Sequence, residues 1–142
     1  MTDTSRAKDL NTAILYACVA TGGMLGSVAR YLVSLLIPSL AAFPLATLFV
    51  NVTGSFVIGF YSTLSGPDGR LFASTRQRQF VMTGFCGGDT TFSAFSLETF
   101  KLLHNGMART AFLNIVVSVV IWLVAVWVGH RLARRLNRLK GS

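Results

Sequence analysis

The apolar positions of this chain fall into four long blocks, separated by short pieces rich in polar residues, glycine and proline. A helix needs roughly 20 mostly apolar residues to cross the hydrocarbon core of a bilayer. The first block covers about 10–36, contains the single charge Arg30, and ends before Pro38. The second covers about 43–64, carries no charge, and closes on the turn signal Gly66-Pro67-Asp68-Gly69. The third covers about 79–103 and holds Asp89 and Glu98. The fourth covers about 110–129, is uncharged, and carries Trp122 and Trp127, a residue type that marks membrane interfaces. This pattern predicts an all-α membrane protein with four transmembrane helices. It forms a single membrane domain over 1–142, with a basic tail at 130–142.

The third block is a poor continuous helix. Gly84-Phe85-Cys86-Gly87-Gly88-Asp89-Thr90-Thr91-Phe92-Ser93 pairs glycines, which weaken a helix, with an Asp-Thr-Thr run that prefers caps and turns. We expect a helix broken at mid-membrane, from Gly87 to Thr90, that restarts near Thr91. Unwound backbone at that depth is tolerated where it is buried in protein or lines a wet cavity. Free carbonyls there can hold a cation, and a restarted helix N-terminus favours an anion. The bland reading is a packing kink, but an intramembrane acid such as Asp89 is usually functional.

Composition agrees with a bilayer environment. Charged residues make up 13% and apolar ones 52%, with mean hydropathy +0.58. An ordinary soluble chain has about 25% charged residues. The net charge is +8, with 13 basic and 5 acidic residues. These basic residues sit in termini and loops beside apolar blocks, so anionic headgroups rather than nucleic acid are the expected partner. Four spans put both termini on one side, together with Arg6, Lys8, Arg70, Arg76, Arg78, Arg131, Arg134, Arg135, Arg138 and Lys140. Lys101 and Arg109 fall on the other side, and the positive-inside rule places the termini in the cytoplasm. The first apolar run is too long for a cleavable leader and is expected to serve as its own insertion signal. Cys18 and Cys86 lie in apolar runs without ligand spacing and read as small buried hydrophobes.

Four features carry candidate chemistry. Thr47, Asn51 and Ser55 step by four along the second span as a polar stripe. The Asn51 amide suits an anion, or else an interhelical hydrogen bond. Phe92 and Phe95 share a helix face, and the positive edges of two rings could stabilise a dehydrated anion. Lipid-facing or core positions are the commoner use of such a pair. Ser93 and Ser96 on the neighbouring face could donate hydrogen bonds to the same ion. Arg30 either snorkels to the interface or raises anion concentration at a vestibule. Gly22 with Gly26, and Gly84 with Gly88, are GxxxG pairs that permit close helix contact.

Three stretches together resemble the Fluc (CrcB) family of fluoride channels: Gly22-Gly23-Met24-Leu25-Gly26 leading to Arg30-Tyr31, Thr47 to Phe56, and Gly84 to Ser96 followed by Glu98. The resemblance runs from the first span through the fourth. It implies a fluoride-selective channel that passively exports cytoplasmic fluoride across the bacterial inner membrane and relieves its toxicity. It implies an antiparallel, dual-topology dimer with two narrow pores at the subunit interface. Asn51, Phe92 and Phe95 would line each pore, helped by Thr47, Ser93 and Ser96. Carbonyls of Gly87 and Thr90 would hold a structural sodium ion at the dimer centre. The chain departs from the family pattern at Ala94, where many members carry Thr or Ser, at Asn114, where some have a pore-side Tyr, and at Asp89.

The charge bias sits awkwardly with a homodimer of opposed subunits, because one chain must then insert both ways. A paired homologous subunit of opposite bias is the other arrangement. The rival function is a four-helix dimeric exporter of small cations or drugs. Such a transporter typically needs an acid in its first span, where this chain has only Arg30. An enzyme is not expected, since His104 and His130 lie at span ends and no acid, base and nucleophile converge. An accessory subunit without transport of its own would not require the polar stripes.

Overall fold

Long runs of Leu, Ala, Val and Phe with little to interrupt them make helices, and helices are what the chain forms. The computed structural model describes residues 3–37, 43–67 and 69–138. Pro38, Asp68, Lys140 and the terminal Gly141-Ser142 lie outside the described residues. The order is α1 (Asp3–Leu36), α2 (Leu45–Leu64), α3 (Thr75–Arg78), a π-helical segment (Gln79–Cys86), α4 (Gly87–Asp89), α5 (Phe92–His104) and α6 (Ala108–Arg138).

Three helical stretches, Lys8–Leu36, Leu45–Leu64 and Ala108–Arg138, are long and apolar enough to cross a membrane. The third predicted span is not one helix but a series of pieces, from α3 through α5. Its interruption is narrower than the glycines suggest. Gly87, Gly88 and Asp89 stay helical, and only Thr90 (φ −76°, ψ 150°) and Thr91 (φ −150°, ψ 117°) are extended. The glycines serve packing instead. The unexpected feature is the π-helical turn before the break, a widened geometry that often accompanies functional sites.

Two helix pairs hold the chain together by backbone-to-backbone contact. Along α1, Gly22, Gly23 and Gly26 press on Gly84 and Gly88. A Cβ on Gly22 would meet the Phe80 carbonyl oxygen, and one on Gly26 would meet the Phe85 carbonyl oxygen and the Asp89 amide. Small residues at such a crossing replace the hydrophobic drive that is absent between helices in lipid. Between α2 and α6, Gly59 abuts the Val126 carbonyl and Gly129 abuts the Phe56 carbonyl. Continuing past the fourth predicted span, α6 remains helical to Arg138, so the first part of the basic tail is ordered helix.

The ends of the bundle are tied by side chains. Asn137 donates to the Thr63 carbonyl at 3.0 Å, and its own carbonyl oxygen accepts from the Arg70 amide at 3.1 Å. Thr63 Oγ1 and His130 Nδ1 are 2.8 Å apart. These bonds fasten the α2–α3 connection to the end of α6. A capping box at Ser74 with Gln77 then starts α3. At the opposite end, α5 stops at Asn105 and Gly106 takes φ +74°, a left-handed conformation that glycine adopts without strain.

Candidate ion pathway

The two extended threonines form the centre of the candidate pathway, and Asn51 holds them. Asn51 Nδ2 donates to the Thr91 carbonyl at 3.1 Å, and the Thr91 amide donates to Asn51 Oδ1 at 2.7 Å. The side-chain amide thus substitutes for a stretch of helix, satisfying both backbone groups of Thr91. This is the interhelical reading of Asn51, with one refinement: an amide nitrogen has two protons, and this contact uses one. In an unbroken helix the Thr91 amide would bond the Gly87 carbonyl. Its diversion to Asn51 releases that carbonyl.

The helix restarts cleanly. Thr91 Oγ1 accepts from the Ala94 amide at 3.1 Å as the N-cap of α5, and lies 3.1 Å from Ser93 Oγ. Thr90 Oγ1 and the Thr90 amide both donate back to the Cys86 carbonyl, at 2.8 and 2.9 Å. Ser27 on α1 reaches the Gly88 carbonyl at 3.4 Å. Gly54 on α2 leaves room for the Thr90 methyl group, which a Cβ there would strike.

The predicted aromatic pair splits its duties. The Phe92 and Phe95 rings lie 5.5 Å apart at 48°, with Phe92 71% exposed and Phe95 only 6% exposed. Phe95 also meets Trp122 of α6, edge to face at 5.0 Å. Ser93 and Ser96 are exposed, and Ser96 Oγ donates to the Phe92 carbonyl of its own helix at 2.9 Å. Of the α2 stripe, Thr47 and Asn51 are buried while Ser55 is half-buried.

Hollow space flanks the break on both sides. A cavity of about 240 Å³ lies between α1, α2 and α5, with Arg30, Thr47, Thr91 and Glu98 on its wall. A second, of about 480 Å³, shares Ser34, Ala46, Thr47 and Glu98 with it and extends to Lys101 and Asn105. On the α6 side, a third of about 200 Å³ is lined by Asn51, Ser55, Thr90, Thr91, Phe92 and Trp122. Thr91 thus borders cavities on both sides, and Asn51, bonded to it, borders the one on the α6 side. Gly87 is exposed, with open space where a side chain would begin.

Two participants were not singled out for this role from sequence. Glu98 Oε1 accepts from Thr47 Oγ1 at 2.7 Å, while Glu98 Oε2 is buried without a partner among the described residues. The two residues are 51 positions apart, so no local spacing signals the pair. Trp122, read as an interfacial marker, turns inward, and its Nε1, like Arg30 Nε, is a buried donor without a partner among the described residues. Each is an incomplete polar group beside a cavity, the kind of site where a small ion or water supplies the missing bond. Replacing Thr47 with valine should leave both Glu98 oxygens unsatisfied and destabilise the chain by about 1–3 kcal/mol. A thermal unfolding midpoint equal to that of the parent would remove this pair from the structure's support.

Asn114 continues the polar lining between α5 and α6. Its Nδ2 donates to Thr99 Oγ1 at 2.9 Å and its Oδ1 accepts from Ser118 at 3.4 Å, with all three residues buried. Asp89 is also buried, and its amide lies where a Cβ on Gly26 of α1 would be. Among the described residues, no group of three His, Cys, Asp or Glu side chains could hold a metal ion.

Comparison with known proteins identifies relatives of the chain. Residues 17–130 match the family profile described as CrcB-like protein, Camphor Resistance (CrcB). The chain is 66% identical over 132 residues to a protein of Rhodopseudomonas palustris named Fluoride-specific ion channel FluC 1, covering 92% of this chain and 94% of that one. It is 58% identical over 138 residues to the protein of the same name from Bradyrhizobium diazoefficiens, covering 97% of each. A Fluoride-specific ion channel FluC of Opitutus terrae is 52% identical over 130 residues, covering 90% of this chain and 98% of its own. Helices apolar enough to span a bilayer, a polar break held by Asn51, and these matches over most of its length make this chain a multi-pass membrane protein that belongs to the CrcB family.

Proposed function

We propose that this protein is a fluoride-selective channel of the bacterial inner membrane that lets cytoplasmic fluoride leave passively. The observation that carries the reading is the Asn51–Thr91 partition, a narrow polar break with cavities on both sides. The similarity of the chain to relatives named Fluoride-specific ion channel supports the same reading. On this reading the pieces of the third span cross the bilayer together as the fourth transmembrane element. A dehydrated fluoride ion would pass Asn51 by way of its second amide proton, with Phe92 and Phe95 presenting ring edges. Thr47, Ser93 and Ser96 would supply hydroxyl contacts, and the unpartnered Trp122 N–H a further donor. Arg30 at the cavity wall would concentrate anions, offsetting the Glu98 carboxylate. An inside-negative potential drives efflux by about 2.3 kcal/mol per charge per 100 mV.

The channel would be an antiparallel dimer of this chain. The exposed apolar surface of α1, including Met24, Leu25, Val28, Leu32 and Leu35, is more than a solitary bundle needs, and lipid or a second copy would cover it. The Gly87 carbonyl, released by Asn51, and that of the extended Thr90 fit a structural sodium ion at the dimer centre, with matching oxygens from a second copy. The ion would hold the two copies in register.

The test uses the chain alone, purified and reconstituted in liposomes loaded with potassium fluoride. Efflux is started with valinomycin and followed with a fluoride electrode, and chloride-loaded liposomes serve as control. Rapid fluoride loss with little chloride loss is expected. If folded protein released no fluoride, alone or with a paired homologous subunit, the channel reading would fall.

A further inference from the structure

The C-terminal end of α6 carries a feature that ion conduction does not use. Leu123, Trp127, Arg131 and Arg135 step by four, and Arg134 and Arg138 complete the same face. Leu123 is 67% and Trp127 56% exposed, and all four arginines are exposed. The Arg131 guanidinium lies 4.9 Å over the Trp127 ring. Beyond it, the four arginines line a cavity of about 210 Å³, with no other of the described residues on its wall.

The helix dipole explains only part of this. Its C-terminal end favours cations within the last turn, which here contains Arg135 and Arg138. Arg131 and Arg134 lie a turn earlier. Like charges three and four apart repel, and α6 has no acidic residue to relieve them. An anion seated between the guanidiniums would. Phosphate suits their planar forks, which bind it through paired hydrogen bonds.

From this geometry we propose that the Trp127–Arg138 face of α6 is a binding site for the headgroup of an anionic phospholipid. The vertical order of the face selects lipid over free phosphate. An exposed apolar position (Leu123) comes first, then an interfacial tryptophan, then the four arginines, matching acyl chain, glycerol level and phosphate in sequence. The site depends on α6 spanning the membrane and not on fluoride conduction.

The experiment follows the thermal unfolding midpoint of the detergent-solubilised full-length chain during titration with phosphatidylglycerol, phosphatidylcholine or inorganic phosphate. A ligand bound only by the folded state raises the midpoint according to its occupancy. Phosphatidylglycerol should stabilise the chain, while the other two should not. The pair R134Q/R138Q should weaken the apparent affinity for phosphatidylglycerol by roughly tenfold to thirtyfold, and R134K/R138K should recover part of it. Should the glutamine pair fail to fold, the lysine pair and Arg131→Gln carry the same comparison. Equal stabilisation by phosphatidylcholine, an unchanged response in the glutamine pair, or an equal effect of inorganic phosphate would each overturn the proposal. So would conversion of the glutamine pair from dimer to monomer without added lipid, which would make the face a protein contact.

Discussion

Asn51→Leu should abolish fluoride efflux and destabilise the chain at the same time. Leucine shares the branched outline of asparagine, although it is larger, but can neither donate to the Thr91 carbonyl nor accept from the Thr91 amide, now paired at 3.1 and 2.7 Å. Each backbone group left unsatisfied in this buried place costs about 1–3 kcal/mol, so the loss is about 2–6 kcal/mol. Asn51→Asp separates the two contributions. Its carboxylate still accepts from the Thr91 amide but offers no amide proton to a passing anion, and its charge opposes entry. We expect it to retain more of the thermal midpoint than Asn51→Leu and still to block fluoride. Liposome efflux and thermal unfolding of both variants decide the matter. Wild-type efflux in either would take Asn51 out of the permeation path.

Glycine replacements in the first and third spans should divide just as sharply. Gly26→Ala places a Cβ against the Phe85 carbonyl and the Asp89 amide, both main-chain groups without a flexible end to swing aside. Overpacking of this kind costs about 1–3 kcal/mol. Because α1 contacts the π-helical segment and α4 through the same glycine seam, we expect the upper end and visible loss of folded protein on size exclusion. Gly87→Ala adds its Cβ to open space within the chain. It should leave the single-chain fold intact or strengthen it by up to about 1 kcal/mol, alanine being the better helix former. If Gly87 lies at the dimer centre beside a cation, that same substitution should weaken dimerisation while the chain stays folded. A Gly26→Ala protein as stable as its parent would contradict the seam. A Gly87→Ala dimer of undiminished stability would contradict the central cation.

Some further features were within reach of the sequence. The Ser74-Thr75-Arg76-Gln77 run is a capping-box signature, and the structure uses it to start α3. The GxxxG pairs of α1 and the third span were visible singly, and the structure adds that they face one another. The break was visible too, but placed too early. Glycine weakens a helix without forbidding it, and Gly88 stays helical while Gly23 of α1 occupies the place where its side chain would be. The chain opens only at Thr90 and Thr91, where Asn51 supplies replacement partners.

The division between the two sources of knowledge follows range. Apolar block length, the uncharged second and fourth blocks, and the unstable third block are local properties, legible because bilayer thickness and helix rise apply to each segment alone. So are the polar stripe of α2 and the aromatic spacing of α5. Which of these groups meet was decided by tertiary structure. Thr47 finds Glu98 across 51 residues, Asn51 finds Thr91 across 40, and Trp122 turns from an expected interface to the edge of Phe95. Such pairs follow from how glycine seams set the helices against one another, and a buried polar group accepts whichever partner that packing brings within reach.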